Sequence, residues 1–281
     1  MDRQNTNLTP RQIRSLDRFL NVVHLLNVVQ ELDLGRRERN RLARHRSYLD
    51  TALHLATTEG LAAVTMQRLA AELDCAVGTV YTYFPSKGAL VAEVQRAAID
   101  RLTSSYLLVV AELDAHLTPD VAPEIATLTH VLGVARFFIE ADITYPQETR
   151  LLQILMSATE AAMPDEDATR VLPSAMRLLG YAHDRLAAAF DAGALGAGDA
   201  MDRTITLAAA VNGVIQVGRL ARWDAELLDG HRLALALVDD LLVGWGADVG
   251  ALAAASEHLA ALTRFGPLAR QLPATLEGSA P

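Results

Sequence analysis

The residues best suited to chemistry lie between Thr65 and Lys87, and the chemistry they suit is hydrogen bonding to phosphates and base edges. The second half of this segment reads Gly-Thr-Val-Tyr-Thr-Tyr-Phe over residues 78–84. Its glycine and hydroxyl groups fall on one side of a predicted helix, whereas the apolar Val80 and Phe84 share the other side. Small and hydroxyl-bearing side chains allow a nucleic acid to approach closely and form hydrogen bonds with it.

Lys87 is the only lysine of the chain, because 24 of its 25 Lys and Arg residues are arginines. Ser86 is predicted to cap a helix that begins at Lys87. A cation there meets the positive end of the helix dipole, which costs about 0.3–1 kcal/mol. A nearby anion reverses the sign, because the helix end and the ammonium group then both attract it. A bound DNA phosphate would explain why a lysine stands at the start of this helix. The alternative is that Lys87 is solvated and costs little free energy there.

Three predicted helices position these residues. The first runs from about Arg46 to Gly60 and has one apolar face. The second begins after Thr65, which is a good N-cap. The turn Asp74-Cys75-Ala76 leads to the third helix, which Pro85 ends. Two short helices joined by such a turn form a helix-turn-helix, whose second helix enters the DNA major groove. A helical hairpin without that role is the alternative that the pattern leaves open.

Residues 46–92 resemble the DNA-binding domain of the TetR family of transcriptional regulators. The stretch TMQRLAAELDCAVGTVYTYFPSKGALV has the family's threonine at the start of the second helix, its small-residue turn, its Gly-Thr-apolar-Tyr-x-Tyr-Phe motif and its lysine before a long fourth helix. The resemblance implies that phosphates are held by Thr65, Tyr81, Tyr83 and Lys87. It implies that the bases lie nearest to Gln67, Gly78, Thr79 and Thr82.

Three positions depart from the family pattern. Asp74 stands where the family has a turn glycine, and it adopts a left-handed conformation less readily. Ala76 stands where a serine usually caps the recognition helix, so one N–H remains uncapped at a cost of about 1 kcal/mol. Val77 replaces a residue that is usually polar, and helical spacing places it with the apolar side. The base preference of the family therefore does not transfer to this chain.

The charge of the chain is unevenly distributed. The net charge is −9, yet residues 1–48 hold 10 Arg against 5 Asp and Glu, while residues 49–281 hold 15 Lys and Arg against 29 Asp and Glu. An acidic protein with a basic end can still bind a polyanion locally.

The basic end is predicted to be an extra apolar helix over 10–34 followed by an arginine-rich arm. The helix needs a partner surface on its own body or across a dimer. The arm over 35–46 contains Arg44 and Arg46, which we count among the DNA-binding residues. It either reaches phosphates and a minor groove or is a solvated, partly disordered tether.

We expect an all-α protein with a three-helix helix-turn-helix domain, a long connecting helix, a helical regulatory and dimerisation domain, and an additional N-terminal helix and basic arm. Its expected divisions are 1–45, 46–92, 93–265 and a disordered tail at 266–281. Beyond the fourth helix, which should end near His116, the predicted helices are 124–141, 146–163, 165–191, 199–224 and 231–263. Pro173 should kink or divide its helix, and the last helix should break between Gly244 and Gly250.

The TetR resemblance implies a homodimer and, usually, a small-molecule pocket. The residues themselves favour 199–224 and 231–247 as dimer helices, although both could equally pack within one chain. Polar residues within apolar helices are the candidates for a pocket, and the aliphatic surroundings favour a lipophilic ligand. Any one such residue is more often an ordinary core or surface residue. The candidates are Arg136, Tyr145, Gln153, Tyr181, His183, Asn212 and Gln216.

Catalytic and metal-binding motifs are absent from the sequence: there is no HExxH, no phosphate-binding glycine loop and no nucleophile elbow. We therefore expect no enzyme, no metal and no cofactor. The single Cys75 excludes an intrachain disulfide and fits a reducing cytoplasm, and neither a signal peptide nor a membrane span is expected.

The sequence predicts a TetR-like regulator, specifically a repressor that binds a palindromic operator as a homodimer and is released by a ligand. The alternatives are a helical small-molecule-binding protein or enzyme without specific DNA binding, and a regulator that answers to a partner protein.

Overall fold

The computed structural model describes residues 35–157, 165–264 and 266–270, which form ten α-helices and one turn of 3₁₀ helix without any β-strand. The helix expected over 10–34 lies outside the described residues. The all-α fold class is confirmed. None of the helices described is both long enough and apolar enough to cross a bilayer.

The helices follow one another with short connections. Their bounds are α1 Arg36–Thr58, the 3₁₀ turn Leu61–Ala63, α2 Met66–Glu72, α3 Val77–Tyr81, α4 Lys87–His116, α5 Pro123–Thr144, α6 Pro146–Ser157, α7 Asp165–Asp191, α8 Ala200–Gly218, α9 Gly230–Gly244 and α10 Val249–Thr263.

The described residues divide into two compact units. The helix-turn-helix unit comprises 35–103, 145–157 and 165–176, and the body unit comprises 104–144, 177–264 and 266–270. Helices α4 and α7 each contribute residues to both units.

The helix-turn-helix unit is built on one apolar core. Leu69 of α2, Val80 of α3, Phe84 after α3 and Leu90 of α4 are each at most 1% exposed and belong to the same cluster. Val77 packs on that cluster as predicted, and Leu49 of α1 packs there as well. Burying side chains of this size contributes about 1.5–3 kcal/mol each relative to leaving them exposed. The core therefore fixes α2 and α3 by their inner faces and leaves their outer faces to solvent.

Helix α1 begins at Arg36, ten residues before the predicted start near Arg46. The arginine run is therefore the first three turns of a helix, so the predicted helix start is wrong and the alternative of a partly disordered tether does not describe residues 36–46. The segment contains neither Gly nor Pro, and Arg, Leu and Ala are good helix formers. Arg41 and Glu38 add an ion pair of 3.5 Å one turn apart.

The predictions for α7 and α8 also need correction. Of the two outcomes predicted for Pro173, a kink or a division, the division is wrong, because α7 continues through this residue. Val171 and Ser174 beside it are buried, and such packing can outweigh the roughly 3 kcal/mol that an internal proline costs. Helix α8 ends at Gly218, not near residue 224, and the predicted cap Asp199 accepts a hydrogen bond from the Asp202 N–H at 2.8 Å.

The body unit is centred on α5, which packs against α8, α9 and α10. Its Leu128 and Phe137 are fully buried. Helices α8 and α9 pack on each other, and a Cβ atom at Gly218 would lie 2.9 Å from the Cα atom of Gly230. This close crossing therefore requires glycine at both positions. The predicted break after Gly244 is confirmed, because α9 ends there and α10 begins at Val249.

Residues 266–270 form a strap on the body unit, so the expected disorder is wrong for this part of the tail. Leu268 and Ala269 are buried. The carboxylate of Glu140 accepts hydrogen bonds from both of their N–H groups, and the Thr144 hydroxyl donates to the Ala269 carbonyl at 2.9 Å. The sequence signal of low hydrophobicity missed this because backbone groups carry most of the attachment. Residues 271–281 lie outside the described part of the chain.

Candidate nucleic-acid interface

The hydroxyl group of Thr65, at the start of α2, can still donate a hydrogen bond. Thr65 is the N-cap, as predicted, and its Oγ1 atom accepts a hydrogen bond from the Arg68 N–H at 3.1 Å. The hydroxyl proton remains available to a phosphate oxygen. Gln67 is exposed on the same helix.

The turn between α2 and α3 has the geometry that the sequence required. Asp74 adopts a left-handed conformation with φ of 46°, in the position where the family pattern has glycine. The N–H of Cys75 donates to the Ala70 carbonyl at 2.9 Å and closes the turn. Ala76 is the N-cap of α3 and makes no side-chain hydrogen bond, so the predicted missing cap is confirmed.

Helix α3 presents small and hydroxyl-bearing residues away from the core. Gly78, Tyr81 and Thr82 are exposed, and Thr79 is half-buried. The Thr82 hydroxyl donates to the Thr79 carbonyl at 2.6 Å, which leaves its oxygen as an acceptor for a base amino group. A Cβ atom at Gly78 would meet no atom within 4 Å and would need no positive φ. The packing of the protein itself therefore gives no reason for this glycine.

An aromatic cluster fastens α1 to the end of α3. The His45 ring stacks on Phe84 with centroids 5.2 Å apart, and the Tyr48 and Tyr83 rings lie 5.0 Å apart. The Tyr48 hydroxyl lies 3.5 Å from the Cys75 Sγ atom. Burial, with the Cys75 contact, raises the pKa of Tyr48 to about 12, and burial lowers the pKa of His45. Both rings are therefore neutral at neutral pH and act as packing groups.

The outer side of α1 and the side chain of Tyr83 form an open basic cleft. Of the described residues that line it, only Tyr83 lies outside α1. Arg44 lines the cleft, whereas Arg46, the other arginine predicted to bind DNA, does not. The lining residues are Arg37, Asn40, Arg41, Ala43, Arg44, Ser47 and Tyr83. Predicting this cleft would have required knowing that the helix extends to Arg36.

Lys87 lies at the first residue of α4, as predicted. The Ser86 hydroxyl accepts a hydrogen bond from the Ala89 N–H at 3.0 Å, and the first turn contains no acidic residue of its own. The Lys87 side chain is exposed. Asp167 of α7 brings a carboxylate to this turn through a contact with Gly88. Nothing in the local sequence indicates that contact.

The seven predicted ligand residues are divided between the two units. Tyr145 and Gln153 are buried in the helix-turn-helix unit. Among the five in the body unit, Arg136 forms an ion pair with Glu140 at 2.7 Å, and the His183 Nδ1 atom lies 3.3 Å from Asp184. Asn212 and Gln216 are half-buried on α8, and Tyr181 belongs to an aromatic cluster.

That aromatic cluster includes residues that sequence reasoning missed. Tyr106 of α4 lies between Phe137 and Tyr181, with ring centroids 5.5 and 6.0 Å away. The charge of Arg185 acts on both Tyr106 and His130. Burial and this charge lower the pKa of His130. The buried His130 Nδ1 and Arg185 Nε atoms have no hydrogen-bond partner among the residues that the structure describes. Only the spatial meeting of α4, α5 and α7 reveals this set.

Comparison with known proteins identifies the segment that carries the interface. Residues 49–94 match the family model for bacterial regulatory proteins of the TetR family. The HTH-type transcriptional repressor KstR of Rhodococcus jostii (strain RHA1) is 41% identical over 61 residues, which are 22% of this chain and 29% of KstR. The similarity thus spans less than a third of that relative.

Solved structures resemble the chain over a greater length. A transcriptional regulator from Saccharomonospora viridis in complex with choline has a TM-score of 0.50 at 20% identity, over 69% of this chain and 94% of that one. RolR in complex with resorcinol has a TM-score of 0.50 at 18% identity, over 79% of this chain and 96% of that one. These structures establish the shared fold. With the helix-turn-helix geometry and the family match, residues 49–94 belong to the TetR family of bacterial regulatory proteins.

Proposed function

We propose that this protein is a transcriptional regulator that acts in the cytoplasm as a repressor, binds a palindromic DNA operator as a homodimer and is released by a small, lipophilic ligand. The observation that carries the proposal is the division of α3 into a buried apolar side at Val80 and an exposed side at Gly78 and Thr82. A second helix held in this way is suited to enter the major groove.

The proposed contacts divide into those that position the protein and those that read sequence. Thr65, Tyr81, Tyr83 and Lys87 are assigned to phosphates, because they supply hydroxyl protons and a cation around the two helices. Base edges are assigned to Gln67, Gly78, Thr79 and Thr82, which lie on or beside the exposed side of α2 and α3.

Selection from a pool of random duplexes tests the proposal directly. The parent protein is expected to enrich a palindromic sequence. Lys87→Ala should lower affinity for every duplex by a similar factor and, because each protomer of the dimer loses one contact, reduce the slope of log affinity against log salt by about 1.8. Thr82→Ala should instead change the ranking among duplexes. If no duplex is bound at modest salt, the protein is a helical ligand-binding protein or enzyme of another kind.

The homodimer is supported by an exposed apolar surface on α8, α9 and their connection. Ile205, Val217, Trp223, Leu227 and Val243 are all substantially exposed. Two copies of a helix pair with such a surface can bury it in a two-fold interface, and two-fold symmetry demands a palindromic site.

Light scattering tests the dimer with a matched pair of variants. Ile205→Glu places a charge on the proposed interface, where the parent side chain is 51% exposed, and should produce a monomer. Ile143→Glu makes the same change on α5, where the parent side chain is 70% exposed, and should leave the dimer intact. A parent that is monomeric at micromolar concentration contradicts the dimer.

The ligand part of the proposal is best supported by the cluster around Tyr106 in the body unit. It combines aromatic rings with two buried nitrogen atoms that have no hydrogen-bond partner in the described part of the chain, and unsatisfied polar groups of this kind are costly unless something pairs with them. The regulators of similar fold that were solved with choline and with resorcinol fit a ligand of small size. Compounds that bind here should release DNA from the parent, and Tyr181→Ala should raise the concentration required.

A further inference from the structure

The first three turns of α1 concentrate positive charge at the least favourable end of the helix. Six arginines and a single acidic residue, Glu38, lie between Arg36 and Arg46. Gly35 caps this end without any side-chain hydrogen bond. Cations near a helix N-terminus are destabilising by about 0.3–1 kcal/mol each, and an anion that approaches from solvent removes that cost.

Three of these arginines lie along one side of the helix. Arg37, Arg41 and Arg44 are spaced at i, i+4 and i+7, so they share a face and extend over about 10 Å of the helix axis. That length corresponds to about three base-pair steps of B-DNA. All three are exposed, and Arg37 and Arg44 form no ion pair with any residue in the part of the chain that the structure describes.

This face adjoins Tyr83, which the proposed function assigns to a DNA phosphate. Ser47 and Tyr83 complete the cleft that the three arginines line. The rings of His45 and Tyr48, one turn further into α1, pack on Phe84 and Tyr83. The arginines are therefore held at a fixed distance and angle from the end of α3 by continuous helix and buried rings.

We propose that this face of α1, made of Arg37, Arg41, Arg44, Ser47 and Tyr83, is a preformed binding site for successive backbone phosphates of double-stranded DNA, beyond the contacts of the helix-turn-helix. The inference rests on the proposed DNA-binding function. Arginine guanidinium groups bind phosphates bidentately, and the hydroxyls of Ser47 and Tyr83 donate single hydrogen bonds. The site adds affinity and fixes the register of the protein on the duplex, and it does not read bases.

Neutralising the two arginines without ion pairs tests the charge of the site. The full-length parent, Arg37→Gln/Arg44→Gln and the control Arg150→Gln/Arg264→Gln are titrated from 50 to 200 mM salt against a duplex recovered by selection and against its shuffled sequence. Loss of two phosphate contacts in each protomer, four in the dimer, should reduce the salt slope by about 3.6, so the difference in affinity between parent and variant should narrow about 150-fold over that range. Both duplexes should be affected equally, and the control should retain the parent's slope.

A second variant tests whether the site is preformed. Ala43→Pro keeps every charge but breaks the helix between the arginines and Tyr48. It should lower affinity for both duplexes by a factor approaching that of the double variant. If Ala43→Pro binds DNA as well as the parent does, the arginines act as a flexible tether, and the proposed preformed site is wrong. The proposed site would also be wrong if the double variant kept the parent's salt slope, or if the control lost as much salt slope as the double variant. Neither result would contradict the proposed DNA-binding function. A parent that binds no DNA overturns both proposals.

Discussion

The carboxylate of Asp167 on α7 lies directly against Gly88, the second residue of α4. A Cβ atom at Gly88 would be only 1.9 Å from Asp167 Oδ2 and 2.9 Å from Asp167 Cγ. Asp167 is 7% exposed, and its Oδ1 atom lies 3.9 Å from the Arg170 Nε atom. Helix α7 thus places a negative charge at the turn where Lys87 and the helix dipole attract anions.

Gly88→Ala is expected to lower the free energy of unfolding. The added methyl group must displace a largely buried carboxylate, and overpacking of this kind costs about 1–3 kcal/mol, against a gain of up to about 1 kcal/mol from helix propensity. Gly180→Ala is the control, because a Cβ atom there meets nothing within 4 Å. It should leave stability unchanged or raise it in urea denaturation. Equal stabilisation by both substitutions would contradict the Asp167 contact.

Asp167→Asn is expected to strengthen DNA binding at low salt. The substitution removes a negative charge beside the proposed phosphate site at Lys87 and keeps the shape of the side chain. A single charge near the surface contributes on the order of 0.5 kcal/mol, so affinity should rise about two- to three-fold and converge with the parent as salt increases. Asp191→Asn makes the same change of net charge in the body unit. A similar rise in that control would attribute the effect to net charge alone.

The local parts of the interface could be predicted from the sequence, and the parts made by distant segments could not. The caps at Thr65 and Ser86, the left-handed Asp74 and the buried side of α3 all follow from residue type and spacing over a few positions. The contact of Asp167 with Gly88 joins segments far apart in the chain, and no periodic signal indicates it.

Two errors have a common physical cause. The arginine run and the C-terminal tail are poor in large apolar residues, with Leu42 in the run and Leu268, Leu272 and Leu276 in the tail, and low hydrophobicity alone does not indicate irregular structure. Helix α1 continues through the run because its residues have high helix propensity and remain solvated. The strap is held by backbone hydrogen bonds to Glu140 and Thr144, which depend on the meeting of two segments rather than on composition.

Leu268→Ala is expected to destabilise the body unit by about 2–3 kcal/mol, the lower range for truncating a buried leucine. Leu268 is 2% exposed within the strap, although its sequence surroundings are typical of a disordered tail. Val249→Ala is the matched control, because Val249 is 67% exposed and its truncation should change stability little. Chemical denaturation of the full-length proteins distinguishes them. Equal stability of the two variants would mean that the strap is detached in solution.

Acidification is expected to destabilise the helix-turn-helix unit through His45. Burial lowers the pKa of His45, reinforced by Arg96 and Arg41 and opposed by Glu93. The unfolded chain therefore takes up a proton near pH 6.5 that the folded protein binds only at lower pH, so stability falls as the pH falls below about 6.5. His45→Phe keeps a ring against Phe84 and removes this titration. Its melting temperature should decline less than the parent's between pH 7 and 5.

Gly78→Ala tests whether glycine at this position is required for DNA binding rather than for folding. No atom of the described chain lies within 4 Å of a Cβ atom at this position, and Gly78 is exposed on α3. Alanine has the higher helix propensity by about 1 kcal/mol, so the variant should melt at the parent's temperature or above it. If the backbone of α3 approaches the major groove closely, the methyl group meets DNA, and affinity for the selected duplex should fall at least several-fold. Gly180→Ala, an open position on α7, should leave DNA affinity unchanged. Parent-like DNA binding by Gly78→Ala would place the duplex further from α3 than the assignment of Gly78 to the bases requires.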